Sequence, residues 1–197
     1  MHPIRHLESS HYSIDDLIEM KGGKKVYVVF STFGDREAAL IYEKISCLRN
    51  AHRGFIDRII LSHRRIGSFR EETEIRALDA DPDVEILINN TTDVPDMDDE
   101  KGKGADMRRA LYDINMGLEP SLTTEDVIIV FLDADVLSDY FGFHFVGGLA
   151  GAVLDGYDFA KASFWRAMGR VKKYVAQPLF SLIDHPKIGK LTDFAYP

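Results

Sequence analysis

Two aspartates stand one residue apart directly after a six-residue apolar run: Val127 to Leu132 leads into Asp133-Ala134-Asp135. The same spacing occurs at 79–81, 81–83 and 96–98, so spacing alone carries little. Position separates 133–135 from the rest. Ligands of a parallel sheet bind beyond the carboxyl ends of its strands. Two carboxylates there repel each other unless a cation compensates them. Mg²⁺ or Mn²⁺, held by the carboxylates and by diphosphate oxygens, is the chemistry that fits. The plainer alternative is an aspartate capping the next helix beside an exposed neighbour; the metal reading ranks above it because other segments agree with it.

Gly102-Lys103-Gly104 opens a helical pattern. Glycines let backbone approach a ligand, a helix N-terminus favours anions, and Lys103 adds charge. Alone, the segment reads as an ordinary Gly-rich turn, and it lacks the spacing of a Walker A loop. Ser31-Thr32-Phe33-Gly34-Asp35-Arg36 follows the first apolar run. A turn there can set main-chain groups and a carboxylate against a nucleobase edge, and equally can be turn chemistry only. Phe164-Trp165-Arg166 and Gly169-Arg170-Val171 hold arginines suited to carboxylate or phosphate, or else solvated arginines beside a structural aromatic. His63 and His144 read as satisfied core residues. No His pair has zinc spacing, and no Gly-x-Ser-x-Gly elbow exists, so hydrolase readings have little support.

These residues need a scaffold. Val26 to Phe30 reads as a strand buried on both faces, followed by a turn from Ser31 to Asp35. Ile41, Ile45 and Leu48 mark a helix. Strands are expected at 55–61, ending at Ser62, and at Val84 to Ile88, with a helix over Ser68 to Asp79 between them. Met107, Ala110, Leu111 and Ile114 mark the next helix face. Val127 to Leu132 is the strongest strand. A helix over Tyr140 to Leu154 and a strand around Tyr157 to Ala162 follow. The last helix carries Val171, Val175, Leu179 and Leu182. Ser13 with Asp16 reads as a capping box for a short helix behind a loose arm over residues 1–12. Alternation of strand and helix predicts an α/β layered fold with a mostly parallel sheet.

Composition sets the bounds. The chain has 197 residues, 45% hydrophobic and 28% charged, which excludes disorder and a small disulfide scaffold. A net charge of −8 argues against a general nucleic-acid binder. Charge is segregated: residues 71–101 carry a net −10 and residues 161–190 a net +6. The single cysteine, Cys47, fits a reducing cytoplasm and reads as small apolar filler on a helix. The longest stretch without charge is 15 residues, too short to span a membrane. The expected location is the cytoplasm.

In this order the segments resemble the nucleotide-sugar-binding half of a GT-A glycosyltransferase, nearest to the glucosyl-3-phosphoglycerate synthase group. The resemblance runs from about Lys25 to Pro197. It rests on Gly102-Lys103-Gly104, on Phe131-Leu132-Asp133-Ala134-Asp135, and on Gly169-Arg170-Val171 followed by Val175-Ala176-Gln177-Pro178-Leu179. It implies a Rossmann-like GT-A fold, with an arm and short helix over 1–24 and a nucleotide-sugar domain over 25–197. It implies transfer of glucose or mannose from a nucleoside diphosphate donor to a small phosphorylated or carboxylate acceptor such as 3-phosphoglycerate.

The resemblance also implies roles. Ser31, Thr32, Phe33, Asp35, Ser62, Lys103, Asp133, Ala134 and Asp135 would bind the donor. Asp133 and Asp135 would hold Mg²⁺ or Mn²⁺, with Asp135 and Lys103 the catalytic candidates. Arg166, Gly169, Arg170, Val171 and Lys172 would hold the acceptor. The expected partners are these small molecules, with no nucleic acid and no membrane span; a homodimer is compatible. Two turns depart from the family pattern. Ser31-Thr32-Phe33-Gly34-Asp35 stands where Pro-Ala-x-Asn-Glu is usual, and Ser62-His63-Arg64-Arg65 where Asp-Ser-Gly-Ser is usual. The family continues past Tyr196-Pro197 to a metal-completing His, so the chain is expected to be incomplete at its C-terminus. Alternatives are a nucleotide-sugar-binding or assembly domain without turnover, and a transferase acting on a lipid phosphate or polysaccharide.

Overall fold

The run Val26-Tyr27-Val28-Val29-Phe30 has no polar residue to offer water on either face, and each of the five is at most 5% exposed. It is the middle of β1, Lys25–Phe33. In the computed structural model, which describes residues 7–51 and 54–162, β1 lies inside a four-stranded sheet. Its companions are β2 (Arg58–Arg64), β3 (Glu85–Ile88) and β4 (Val127–Asp133). The order is β3-β2-β1-β4 and every pairing is parallel. The α/β expectation is met.

Alternation along β1 sorts side chains between two faces. Val26, Val28 and Phe30 join a core with Ile41, Ile45 and Leu48 of α2 (Ala38–Ala51) and Ala77 and Ala80 of α3 (Glu72–Ala80). Leu17 of α1 (Ile14–Lys21) and Val146 and Ala150 of α5 (His144–Leu154) complete that core. Tyr27 and Val29 face the other way, against Ala110 and Ile114 of α4 (Lys103–Met116). Each fully buried large aliphatic side chain contributes about 1.5–3 kcal/mol relative to exposure. The Ser13 capping box forms: its hydroxyl accepts from the Asp16 amide at 3.2 Å, and its own amide donates to the Asp16 carboxylate at 3.2 Å.

Several elements differ from expectation. β1 runs on through Ser31, Thr32 and Phe33, because these pair with Ser62, His63 and Arg64 of an equally prolonged β2. The turn therefore begins at Gly34. Its φ of 59° lies in the left-handed region and favours glycine there; a Cβ would also displace the exposed Ile66 side chain. α3 starts at Glu72 rather than Ser68, because Asp35 accepts from the Thr73 amide at 3.0 Å and Glu74 from the Glu71 amide at 3.0 Å, closing its first turn. On α4, Leu111 is 44% exposed and Met107 half-buried; of the four apolar residues expected there, Ala110 and Ile114 are buried, joined by Asp106 and Arg109. The span 140–154 is divided into a 3-10 turn, Ser138–Tyr140, and α5. His144 is exposed at the start of α5, not in the core.

Residues 9–12 are not a loose arm. Tyr12 lies against Gly151 of α5, whose missing Cβ would meet its ring at 2.4 Å, and its hydroxyl donates to Asp155 at 3.2 Å. Burial and then the Asp155 charge push the Tyr12 phenol up to about 12. The chain divides into two units, Met1–Tyr157 and Asp158–Pro197. Residues 157–162 form no strand, and the expected last helix lies outside the described residues.

Candidate functional site

β1 has β2 on one side and β4 on the other, so the chain reverses its direction of travel across the sheet at β1. In open α/β sheets that switch point is where a crevice opens. Ser31 and Asp133 face each other there as register partners. Lys103, in the first turn of α4, forms an ion pair with Asp133. Gly102, at the helix N-cap with φ 104°, allows the turn that delivers Lys103. Three residues that are distant in sequence thus converge on one point. Ala134 is buried in the core at 2% exposure and anchors the turn. Asp135 is exposed, with no hydrogen bond or ion pair among the described residues. The arrangement is an exposed carboxylate beside a cation–carboxylate pair, able to take a divalent cation and an anionic group together. Two carboxylates are what this place offers: among the described residues no group of three or more His, Cys, Asp or Glu gathers.

The other donor candidates are engaged with the protein itself. Thr32 is 5% exposed and shares a 2.8 Å hydrogen bond with Nδ1 of His63. Ser62 is fully buried and exchanges hydrogen bonds with the Asn89 amide at 3.0 and 3.2 Å. Asp35 is exposed and holds α3 through Thr73. Phe33 is 38% exposed, with the Arg36 guanidinium 4.8 Å from its ring centre. Arg166, Gly169, Arg170, Val171 and Lys172 lie outside the described residues.

Sequence reasoning missed three charged groups. The first surrounds His63, which is fully buried and hydrogen-bonded, as the reading of it as a satisfied core residue expects; its partners are what the sequence did not show. Its Nε2 lies 3.0 Å from Glu71, and the Glu71 carboxylate also accepts from the amides of Ile66 and Gly67 at 2.8 and 3.0 Å. An ionised carboxylate can only accept, so Nε2 carries a proton toward Glu71, while Nδ1 shares its hydrogen bond with the Thr32 hydroxyl. Beside it, Arg65 grips buried Glu74 with two bonds of 2.7 and 2.6 Å. Burial alone raises the Glu74 carboxyl, but the Arg65 bonds and the Glu71 amide hold it below its ordinary value.

The second group ties β2 to α4. Asp106, 7% exposed, accepts from both Arg64 and Arg109. Arg109 also donates to the carbonyls of Thr92 and Glu100 at 3.2 and 2.9 Å, bracing the acidic segment that leads into Lys103. The third is Lys44, on the buried face of α2 and fully excluded from solvent. One signal was available for it: position 44 lies three after Ile41 and four before Leu48, within the apolar stripe.

No family model matches the chain, and no curated protein is similar to it in sequence. Solved structures are. Glucosyl-3-phosphoglycerate synthase from Mycobacterium tuberculosis, in complex with Mn²⁺, uridine diphosphate and glucosyl-3-phosphoglycerate, is 26% identical with a TM-score of 0.70; the match covers 96% of this chain and 60% of that one. The same enzyme with Mn²⁺, uridine diphosphate and phosphoglyceric acid is 27% identical with a TM-score of 0.67, covering 90% and 55%. A structure described only as a mycobacterial protein is 27% identical with a TM-score of 0.68, covering 90% and 53%. The resemblance to this GT-A glycosyltransferase group is therefore borne out in fold, including the parallel sheet flanked by helices. The chain spans 53–60% of the length of the solved structures it matches. No helix among the described residues is long and apolar enough to cross a membrane.

Proposed function

We propose that the protein transfers a hexose from a nucleoside diphosphate donor to a small anionic acceptor, in the cytoplasm, with Mg²⁺ or Mn²⁺. The observation that carries this reading is the convergence of Ser31, Lys103 and Asp133 at the switch point of the sheet, with Asp135 exposed two residues further on. It is supported by the fold shared with structures that hold Mn²⁺ or Mg²⁺ with uridine diphosphate. Asp133 and Asp135 suit a hard cation, which takes one or two carboxylates and fills its other positions with phosphate oxygens and water. When bound, such a cation neutralises charge developing on a departing diphosphate.

Lys103 is the group that moves charge in this scheme. Its ammonium sits on Asp133 in the free protein, and an incoming diphosphate offers it a second anion. Ser31 and Phe33 line the donor side, and Asp35 holds the turn beneath it. Thr32 and Ser62 shape that side from within rather than by open contact, since both are buried and hydrogen-bonded. Arg166, Gly169, Arg170, Val171 and Lys172 supply acceptor recognition, with phosphoglycerate the first acceptor to test because similar structures bind it. No protein general base is assigned.

The test is nucleotide release from UDP-glucose and GDP-glucose with 3-phosphoglycerate and Mn²⁺. We expect release that needs metal and acceptor, and loss of most of it in Asp135→Ala. Undiminished release in that variant rejects the site. Metal-dependent nucleotide binding without release favours a binding domain instead.

A further inference from the structure

Arg64 is the last residue of β2 and the register partner of Phe33, so the two side chains stand side by side on one face of the sheet. That face is covered by α4, where Asp106 accepts from Nε of Arg64 at 3.1 Å and from its Nη2. Asp106 lies one helical turn from Lys103, which holds Asp133. The first turn of α4 thus touches both ends of the crevice, Asp133 on β4 and Arg64 on β2, with Ser31 and Phe33 of β1 between them. Two strand spacings separate those ends, about 10 Å. A nucleoside diphosphate laid across the strand ends, with its phosphates at Lys103 and Asp133, brings its base to β2.

Arg64 meets that base with part of its guanidinium unspent. Asp106 occupies one edge, Nε with Nη2. Nη1 makes no hydrogen bond among the described residues and is not buried, and the side chain keeps 12% exposure. The end-on pair, Nη1 with the second N–H of Nη2, is open to a ligand that offers two adjacent acceptors. An oxyanion has that shape, but Asp93, Asp96, Asp98, Asp99 and Glu100 lie on the segment that Arg109 braces against α4. Their field opposes an anion that has neither Lys103 nor a metal beside it. A neutral base edge meets no such opposition. Guanine presents N7 and O6 as adjacent acceptors, whereas adenine sets a donor beside N7, cytosine presents a donor, and uracil a single O4. Phe33, 38% exposed, offers a ring on which any base stacks, so it adds affinity without choosing.

We propose that Arg64 is a specificity-determining residue that reads the N7 and O6 edge of guanine, so that the donor is a guanosine diphosphate sugar. The inference rests on the functional reading above. Arg64 falls in Ser62-His63-Arg64-Arg65, where the family pattern reads Asp-Ser-Gly-Ser. The matching position there is glycine, which has no side chain to read a base, so the uridine complexes of similar structures set no expectation for the base in this chain.

The test is calorimetric binding of GDP, inosine diphosphate, 7-deaza-GDP, UDP and ADP to the full chain with Mn²⁺. We expect GDP and inosine diphosphate, which share O6 and N7, to bind roughly tenfold more tightly than UDP and ADP, the scale of one bidentate guanidinium–guanine pair. 7-Deaza-GDP, with carbon in place of N7, should lose much of that advantage in the unaltered protein, where no change of fold can intervene. Arg64→Lys keeps a cation for Asp106 but not the planar fork, and should bring GDP down to the level of UDP while UDP binding holds. UDP binding as tight as GDP in the parent overturns the proposal and leaves the functional reading standing. So does a preference for GDP that survives in Arg64→Lys or is shared in full by 7-deaza-GDP. Binding of none of these nucleotides with Mn²⁺ present overturns the functional reading as well.

Discussion

Asp106→Asn tests whether the site is braced as described. The parent carboxylate is 7% exposed and accepts from Nε of Arg64 at 3.1 Å, from Arg64 Nη2, and from Arg109 Nη1 at 3.4 Å. Asparagine keeps one acceptor, loses the charge, and turns an amide N–H toward the Nε–H of Arg64. Removing one partner of a buried ion pair costs about 3–5 kcal/mol. Arg64 retains 12% side-chain exposure and Arg109 keeps two carbonyl acceptors, so the lower end, about 3 kcal/mol, applies here. For a domain of this size that is a fall of about 6–12 °C in unfolding temperature. Far-UV circular dichroism measures it. Lys103 sits three residues earlier on the same helix, so UDP with Mn²⁺ should also bind more weakly. The apolar pair Arg64→Met with Asp106→Leu should recover much of the stability but not the binding. An Asp106→Asn protein that unfolds within about 2 °C of the parent refutes the bracing argument.

Two further outcomes follow from the same physics. Arg65→Met strips a buried carboxylate of its guanidinium and should cost about 2 kcal/mol at pH 7, discounted because Arg65 is partly solvated. The folded Glu74 carboxyl lies below its ordinary value, so its contribution exists above the unfolded carboxylate pKa and is lost as pH falls through the folded one. Urea unfolding should therefore show the gap between parent and variant closing on acidification; a gap independent of pH contradicts the assignment. Gly151→Ala places a Cβ 2.4 Å from the Tyr12 ring and 2.9 Å from Leu17, and overpacking should cost about 1–3 kcal/mol in the same assay. Parent-like stability there would show that Tyr12 does not pack on α5 in solution.

Strands and helices were legible where one period dominated. The apolar runs of β1 and β4 and the 41, 45, 48 stripe of α2 each report burial directly, because burial is what shaped them. Polar residues at strand ends were less legible. Thr32 and His63 read as turn residues by composition, yet they extend β1 and β2 because each finds its partner across the ladder. That partner lies 31 positions away, and no local pattern encodes it. The Lys103–Asp133 pair shows the opposite case. Each residue was singled out for its place at an element end, and the parallel topology alone sufficed to bring them together. Lys44 was passed over because a lysine in an apolar stripe looks like an interruption, whereas here it occupies the stripe with its charge buried.

The two ends of the crevice differ in kind, and the difference bears on what the chain selects. On the β1–β2 side, Thr32, Ser62, His63 and Asn89 are all at most 5% exposed and hydrogen-bonded to one another in two pairs. Glu71 and Glu74 close that side from α3. A side chain held in this way is costly to redirect, because breaking its bond leaves a buried polar atom unmet. On the β1–β4 side, Asp135 and Lys103 are exposed and Asp133 half-buried, so their charges can be re-paired at little cost. A ligand's charged group therefore has freely adjustable partners at the β4 end, and a rigid wall at the β2 end. Affinity should come from the first and shape selection from the second. Among the departures from the family pattern, Thr32, Ser62 and His63 fall on the rigid side, whereas Ser31 faces Asp133 on the adjustable one, beside the aspartates and the Gly-Lys-Gly turn that keep to that pattern.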